Sequence, residues 1–238
     1  MSGGDELGRI FLFVGIGTAL MLVLSIIRRK QYDLPWWKTV IIPFLLTLFG
    51  VSGAMILYFI ESGRFGGISF YGSVLLIPVL LLPAAKLLKM PYGTITDFSV
   101  PQICIMLAVM KVHCLISDCC GGICLSNPDA VDPIYFPSQI AEMIVALAIA
   151  AFILYLDSQK LFKGRLYGVY FLVYGILRFA LNFLRRGLTP FVWFIPAGHF
   201  WSLISIGLGI AWILLYKTKE PKAPIIEEQT TETETRDI

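Results

Sequence analysis

The chain has 238 residues, 57% of them hydrophobic and 15% charged, with a formal net charge of +3 and a mean hydropathy of +0.79. That balance excludes an ordinary soluble domain and points to an integral membrane protein. The net charge is too small to imply a nucleic-acid partner, and its placement along the chain matters more than its size.

Seven apolar spans follow in order: Ile10–Ile27, Val40–Ile60, Gly67–Leu88, Ser99–Ile116, Pro137–Leu156, Gly164–Leu184 and Phe191–Tyr216. Each is near the ~20 residues that cross a ~30 Å hydrocarbon core as a helix. The expected fold is therefore an all-α membrane domain of about seven transmembrane helices. The first span is not read as a signal peptide. Its basic run, Arg28-Arg29-Lys30, follows the apolar stretch instead of preceding it, and no small-residue cleavage site appears.

Basic residues cluster after alternate spans: Arg28, Arg29, Lys30 and Lys38; Lys86 and Lys89; Lys160, Lys163 and Arg165; Lys217, Lys219 and Lys222. The opposite side holds fewer, namely Arg9, Arg64, Arg185 and Arg186. The positive-inside rule then puts the N-terminus outside and the C-terminus in the cytoplasm. Residues 1–222 read as one membrane domain. Residues 223–238, rich in Glu and Thr, read as a disordered acidic cytoplasmic tail.

Gly66-Gly67-Ile-Ser-Phe-Tyr71-Gly72 opens span three. Gly67 and Gly72 permit close approach of a neighbouring helix or of a ligand headgroup. Tyr71 offers a phenol that can donate to a phosphate or anchor at the interface. The end of span four and its loop crowd Lys111, His113, Cys114, Cys119, Cys120 and Cys124 together before and after Gly121-Gly122. Lipid penalises such groups unless protein or a wet cavity surrounds them. Lys111 either snorkels to the interface or faces inward. The cysteine spacing is not that of a usual zinc or C-x-x-C redox motif. A metal site with His113, a disulfide, plain packing and a thiolate activated by nearby cations all remain open. The loop from about Ser117 to Phe136 holds Asn127-Pro-Asp and Asp132-Pro turn signals, and loops longer than ~12–15 residues tend to be functional or disordered.

Phe136-Pro137-Ser138-Gln139-Ile-Ala-Glu142 opens span five, with Pro well placed at a helix start. Gln139 and Glu142 share a face, and Glu142 is a candidate partner for a membrane cation. In span six, Tyr174, Arg178, Asn182 and Arg185 recur at helical spacing and form one polar stripe. Arg178 lies ~9 Å inside the outer end, where an Arg costs at least ~2.5 kcal/mol on insertion scales. With Lys111 and the outer arginines it describes a cationic site suited to an anionic headgroup, since Arg contacts phosphate bidentately. His199, next to Trp201 at the start of span seven, reads as an interfacial anchor.

Taken together and in this order, the Gly-Gly-Ile-Ser-Phe-Tyr-Gly segment, the cysteine-rich segment ending in Gly121-Gly122, Phe-Pro-Ser-Gln-Ile-Ala-Glu, and Gly164-Arg-Leu-Tyr-Gly…Tyr-Gly-Ile-Leu-Arg-Phe-Ala-Leu-Asn-Phe-Leu-Arg resemble the prolipoprotein diacylglyceryl transferase family. The resemblance covers almost all of the chain before the tail. It implies transfer of a diacylglyceryl group from phosphatidylglycerol to the lipobox cysteine thiol of a prolipoprotein, forming a thioether and releasing glycerol phosphate. It also implies a multi-pass protein of the bacterial plasma membrane, with an anionic phospholipid and a prolipoprotein signal peptide as partners and no cofactor or metal. Arg178 matches the family's essential arginine, Lys111 falls where an arginine opens the signature segment, Gly122 matches the glycine closing it, and Gln139 matches the glutamine of the His-Pro-Ser-Gln-type motif. The implied catalytic set is Arg178, Tyr71 and Lys111. The implied substrate-binding set is Gly67, Gly72, Gly122, Gln139, Glu142, Asn182 and Arg185.

The chain also departs from the family pattern. Tyr71 and Phe136 stand for histidines, Cys114 for an asparagine, and Cys119 and Asn182 for glutamates. Two further readings follow from these departures: a non-catalytic phospholipid-binding protein of the same fold, and a thiol-dependent membrane redox enzyme.

Overall fold

The structure, a computed structural model, describes residues 3–64, 66–126, 132–186 and 190–216. Among the described residues, seven helices run in chain order: α1 (Gly3–Arg28), α2 (Trp36–Ser62), α3 (Phe70–Leu87), α4 (Tyr92–Ile116), α5 (Ser138–Ser158), α6 (Leu166–Asn182) and α7 (Ala197–Leu215). Each predicted span overlaps one of them, so the fold is an all-α multi-span membrane protein. Six are long and apolar enough to cross a membrane, and α6 is a shorter apolar helix of 17 residues, about 26 Å at 1.5 Å per residue. The surface is correspondingly apolar, with Phe11, Phe44, Leu48, Ile144 and Leu214 among the exposed large side chains.

Helix α4 is central and packs against α1, α2, α3, α5 and α6; the most extensive pairings are α6 with α7, α4 with α5, and α2 with α3. Lipid tails are as apolar as Leu, so close backbone approach carries much of the helix association. At the α2–α3 crossing, a Cβ on Gly72 would lie 2.0 Å from the Gly53 carbonyl oxygen. Two backbones meet there, and neither can yield as a side chain would. Gly72→Ala is therefore expected to destabilise the domain by about 1–3 kcal/mol, read as a lowered Tm in detergent.

Several boundaries differ from expectation for identifiable reasons. α4 begins at Tyr92, seven residues before Ser99, because its first turns are polar in sequence but satisfied in place. Thr96 and Ser99 donate to the carbonyls of Tyr92 and Ile95, at 3.0 and 2.6 Å. Asp97 accepts from the backbone N–H groups of Gly164 and Leu166, the latter at 2.9 Å, and so holds the start of α6. α7 begins at Ala197 rather than Phe191. The residues before it form a small antiparallel pair, β1 (Pro190–Val192) with β2 (Ile195–Pro196).

Arg28, read from sequence as one of the cytoplasmic cations, is 4% exposed and built into the protein. It forms a salt bridge to Asp157 at 2.7 Å and donates to the Phe98 carbonyl at 2.7 Å. Tyr32 and Gln31 donate to the same carboxylate at 2.7 and 2.8 Å. This knot ties the C-terminal end of α1 to α4 and α5. The expected tail at 223–238, the cations Lys217, Lys219 and Lys222, and the Asn127-Pro-Asp turn lie outside the described residues.

Candidate functional site

Glu142 is the centre of the site. It sits near the N-terminal end of α5 and is 4% exposed. Lys111 of α4 pairs with its Oε2 and Arg178 of α6 pairs with its Oε1. The Arg185 Nε, just past the end of α6, lies 3.7 Å from Oε1. Three cations thus surround one carboxylate, a formal surplus of two positive charges in a buried setting. The helical period explains the convergence: Tyr174, Arg178 and Asn182 recur every four residues on α6, and all three are buried.

The cluster is not electrically or sterically closed. The Nε atoms of Arg178 and Arg185 are buried and make no hydrogen bond. An unpaired buried donor is costly, so the Arg178 Nε–H is available to an acceptor. A cavity of about 10 Å³ adjoins Arg178, lined also by Leu107, Val145, Leu181, Tyr174 and Glu142. That is near the smallest volume that holds one water, so a larger ligand enters only as side chains part. Its lining combines apolar side chains with the charged Glu142 and Arg178, the mixture that an amphipathic molecule requires.

The remaining expected site residues divide into those at the cluster and those that serve packing. Tyr71 is 5% exposed, and its hydroxyl shares a 2.5 Å hydrogen bond with Ser202. Its ring packs edge-on against Tyr174 at 5.8 Å. Asn182 donates to the same Ser202 at 3.3 Å. Ser202, on α7, thus joins the two polar groups, a role with no signal in the sequence. Gly67 lies against the ring of Tyr58, and Gly72 against the Gly53 backbone, so neither faces the cavity. Gly122 pairs with Arg185 across an isolated bridge. A Cβ there would be 2.2 Å from the Phe136 carbonyl oxygen. His199 packs edge-on against Phe179 and Phe183 at 5.0 and 4.6 Å, and both its ring nitrogens lack hydrogen bonds.

The described parts of the loop after α4 are tied down by backbone hydrogen bonds. Ile123 donates to the Leu184 carbonyl at 3.0 Å, Leu125 to Ile134 at 2.7 Å and Phe136 to Ile123 at 2.9 Å. Cys124 pairs with Tyr135 across a second bridge. Ser138 and Gln139 pin the loop from the start of α5, donating to the carbonyls of Cys120 and Cys119 at 2.5 and 2.7 Å. Gln139, which the resemblance puts in the substrate-binding set, is thereby tied to the cysteine loop.

Only three of the cysteine-cluster candidates come together. The sulfurs of Cys114, Cys119 and Cys120 lie within 4.8 Å of one another. His113 is turned away, because successive helix residues point ~100° apart. Its Nε2 meets the Ser117 hydroxyl at 3.4 Å and its ring packs on Phe13. Cys124 is also separate, with its thiol 3.3 Å from the Ser126 carbonyl oxygen. No disulfide joins any of the five cysteines.

The Cys120 thiol is pulled down to about 5, chiefly by a hydrogen bond with Cys114 and next, against burial, by the charges of Lys111 and Arg185. Burial pushes the Cys119 thiol up. The low value means that Cys120 stays a thiolate, the reactive form, down to about pH 5. In reduced, chelator-treated protein, iodoacetamide is therefore expected to modify Cys120 at pH 6 at nearly its pH 8 rate, and Cys119 more slowly. Peptide mapping by mass spectrometry reads both, and a Cys120 rate that drops more than tenfold between pH 8 and 6 contradicts the assignment.

The family model described as prolipoprotein diacylglyceryl transferase matches residues 9–215. A Clostridium perfringens relative named phosphatidylglycerol–prolipoprotein diacylglyceryl transferase 2 is 25% identical over 232 residues, covering 88% of this chain and 90% of its own length. A Dehalococcoides mccartyi phosphatidylglycerol–prolipoprotein diacylglyceryl transferase is 24% identical over 168 residues, 66% of this chain and 64% of the relative. One from Mannheimia succiniciproducens is 29% identical over 128 residues, 51% of this chain and 48% of the relative.

Proposed function

The chain belongs to the prolipoprotein diacylglyceryl transferase family, and from that premise we propose that it transfers a diacylglyceryl group from an anionic phospholipid of the phosphatidylglycerol type to the lipobox cysteine of a prolipoprotein. The relatives whose names state that activity support this reading. The observation that carries it is the cation surplus around Glu142 beside an apolar-walled cavity, with the Arg178 Nε–H still free. A phosphodiester there would take up the unused Arg178 Nε–H and offset the excess charge. As the bond to phosphate breaks, a second negative charge develops on the departing glycerol phosphate. Fixed cations stabilise that state more than the ground state, which is what accelerates a reaction. Arg178 and Lys111 would act directly on the phosphate. Arg185 and Glu142 would orient them, and Tyr71, Ser202 and Asn182 would hold the wall behind them. The expected setting is a bacterial plasma membrane, with the Glu142 end of the bundle outward.

One observation favours a non-catalytic lipid-binding reading. The acid at the centre of the site, Glu142, is committed to its ion pairs, and Tyr71 is committed to Ser202. Neither is a ready base for the acceptor thiol. Purified protein in phosphatidylglycerol nanodiscs, given a lipobox cysteine peptide, separates the two readings. Transfer predicts a peptide heavier by one diacylglyceryl group and an equal amount of released glycerol phosphate. Lipid retention with neither product would support binding alone and defeat the transferase reading.

A further inference from the structure

The missing base has a replacement in the cysteine cluster. Cys114, Cys119 and Cys120 place three sulfurs within 4.8 Å of one another. Three thiolates around zinc at ~2.3 Å would stand about 3.8 Å apart in tetrahedral geometry, which small rotations of these side chains can reach. Two adjacent cysteines do not ordinarily point to one centre. Here the backbone is bent to make them do so. Asp118 and Cys120 both have left-handed conformations, with φ of 47° and 61°. Neither is glycine, so each conformation is strained and held by its surroundings. The holding contacts are present: Cys119 N–H donates to the Cys114 carbonyl at 3.1 Å and Arg186 N–H to Gly121 at 3.1 Å. Ser138 and Gln139 fix the two carbonyls between them. Preorganised ligands of this kind are what a metal site needs. Cys119 and Cys120 are exposed and Cys114 is partly so, which leaves an open approach.

We propose that Cys114, Cys119 and Cys120 bind one Zn(II) ion through three thiolates and leave its fourth position to the thiol of the acceptor cysteine. This rests on the transferase reading for the identity of the fourth ligand. Three protein ligands with one open position is the pattern of catalytic zinc, and a thiol is deprotonated when it coordinates. The proton passes to solvent. The coordinated sulfur attacks the glyceryl CH₂ carbon of the lipid. The C–S bond forms as the C–O bond to phosphate breaks, and that electron pair leaves on the phosphate oxygen of glycerol phosphate. The thioether product carries no charge and is a weak ligand, so it dissociates. No oxidant or reductant is consumed. Four thiolates on one Zn(II) carry a net charge of about −2, and Lys111 and Arg185 are near enough to act on the cluster. Lys111 lies three residues before Cys114 on α4, on the same face, and already contacts Glu142. The acceptor sulfur and the lipid phosphate are thereby brought to adjoining sites.

The test uses the full chain in phosphatidylglycerol nanodiscs, loaded with Zn(II) or Co(II) and desalted. Elemental analysis is expected to find one zinc per chain in the wild type and less than a tenth of that in Cys119→Ser/Cys120→Ser, with helical circular dichroism unchanged in both. Co(II) should give sulfur-to-metal charge-transfer bands that shift when a lipobox cysteine peptide is added and not when its serine counterpart is. Folded wild type that takes up no zinc, or a double variant that keeps it, overturns the site. Bands indifferent to the cysteine peptide overturn the fourth-ligand assignment. The outcomes also separate this inference from the transferase reading. Full transfer by chelator-stripped, folded protein refutes the zinc and leaves the transfer standing. One zinc per chain with no transfer refutes the transferase reading and keeps the site.

Discussion

Glu142→Ala is expected to be the most damaging single substitution in the bundle, costing about 3–5 kcal/mol. Glu142 is the one carboxylate to which Lys111, Arg178 and Arg185 are all paired. Removing it leaves three cations facing one another in a setting that excludes water, which is worse than never having buried them. Coulomb repulsion scales inversely with the effective dielectric, and no other acid pairs with these cations among the described residues. A thermal melt in detergent should show a large drop in Tm. Lys111→Met in the Glu142→Ala background should recover part of it, because one repelling charge is gone. Equal Tm values for wild type and Glu142→Ala would mean that the three contacts contribute nothing to stability.

Arg178→Ala carries the second large effect, and it falls on turnover. Deleting one fixed donor at a developing anion typically costs 10²–10³ in rate, and Arg178 is the donor with a free Nε–H beside the cavity. Transfer to a lipobox peptide should fall at least a hundredfold. The fold should survive better than in Glu142→Ala, because Lys111 and Arg185 still satisfy the carboxylate. Arg178→Lys should restore only part of the activity: the charge returns but the planar fork does not. Initial rates across phosphatidylglycerol concentrations distinguish a lost transition-state contact, which lowers the maximal rate, from lost lipid binding, which raises only the concentration needed.

The features legible in sequence share one property: they are local and periodic. The spans appear because apolar runs have the length of a bilayer. The stripe of Tyr174, Arg178 and Asn182 appears because α-helical period puts residues four apart on one face. Glu142 was readable as a partner for a membrane cation because an acid one turn inside a span needs one. What escaped was non-local. Asp97 binds backbone N–H groups 67 and 69 residues away, so nothing local marks the stretch before Ser99 as helix. Arg28 has the composition of a topogenic cation, but its partner is Asp157, 129 residues further on. Ser202 joins Tyr71 and Asn182 across three helices. The cysteine spacing resembles no zinc motif because two left-handed residues, not the spacing, gather the sulfurs. His113, adjacent in sequence, is therefore not among them.

The most direct test of the transferase reading is lipidation of a reporter prolipoprotein in cells depleted of their own transferase. Expression of this chain is predicted to add one thioether-linked diacylglyceryl group to the reporter cysteine, seen by mass spectrometry. The same strain expressing Arg178→Ala at equal membrane levels should leave the reporter unmodified. A reporter that stays unlipidated when the wild-type chain is abundant in the membrane would contradict the account.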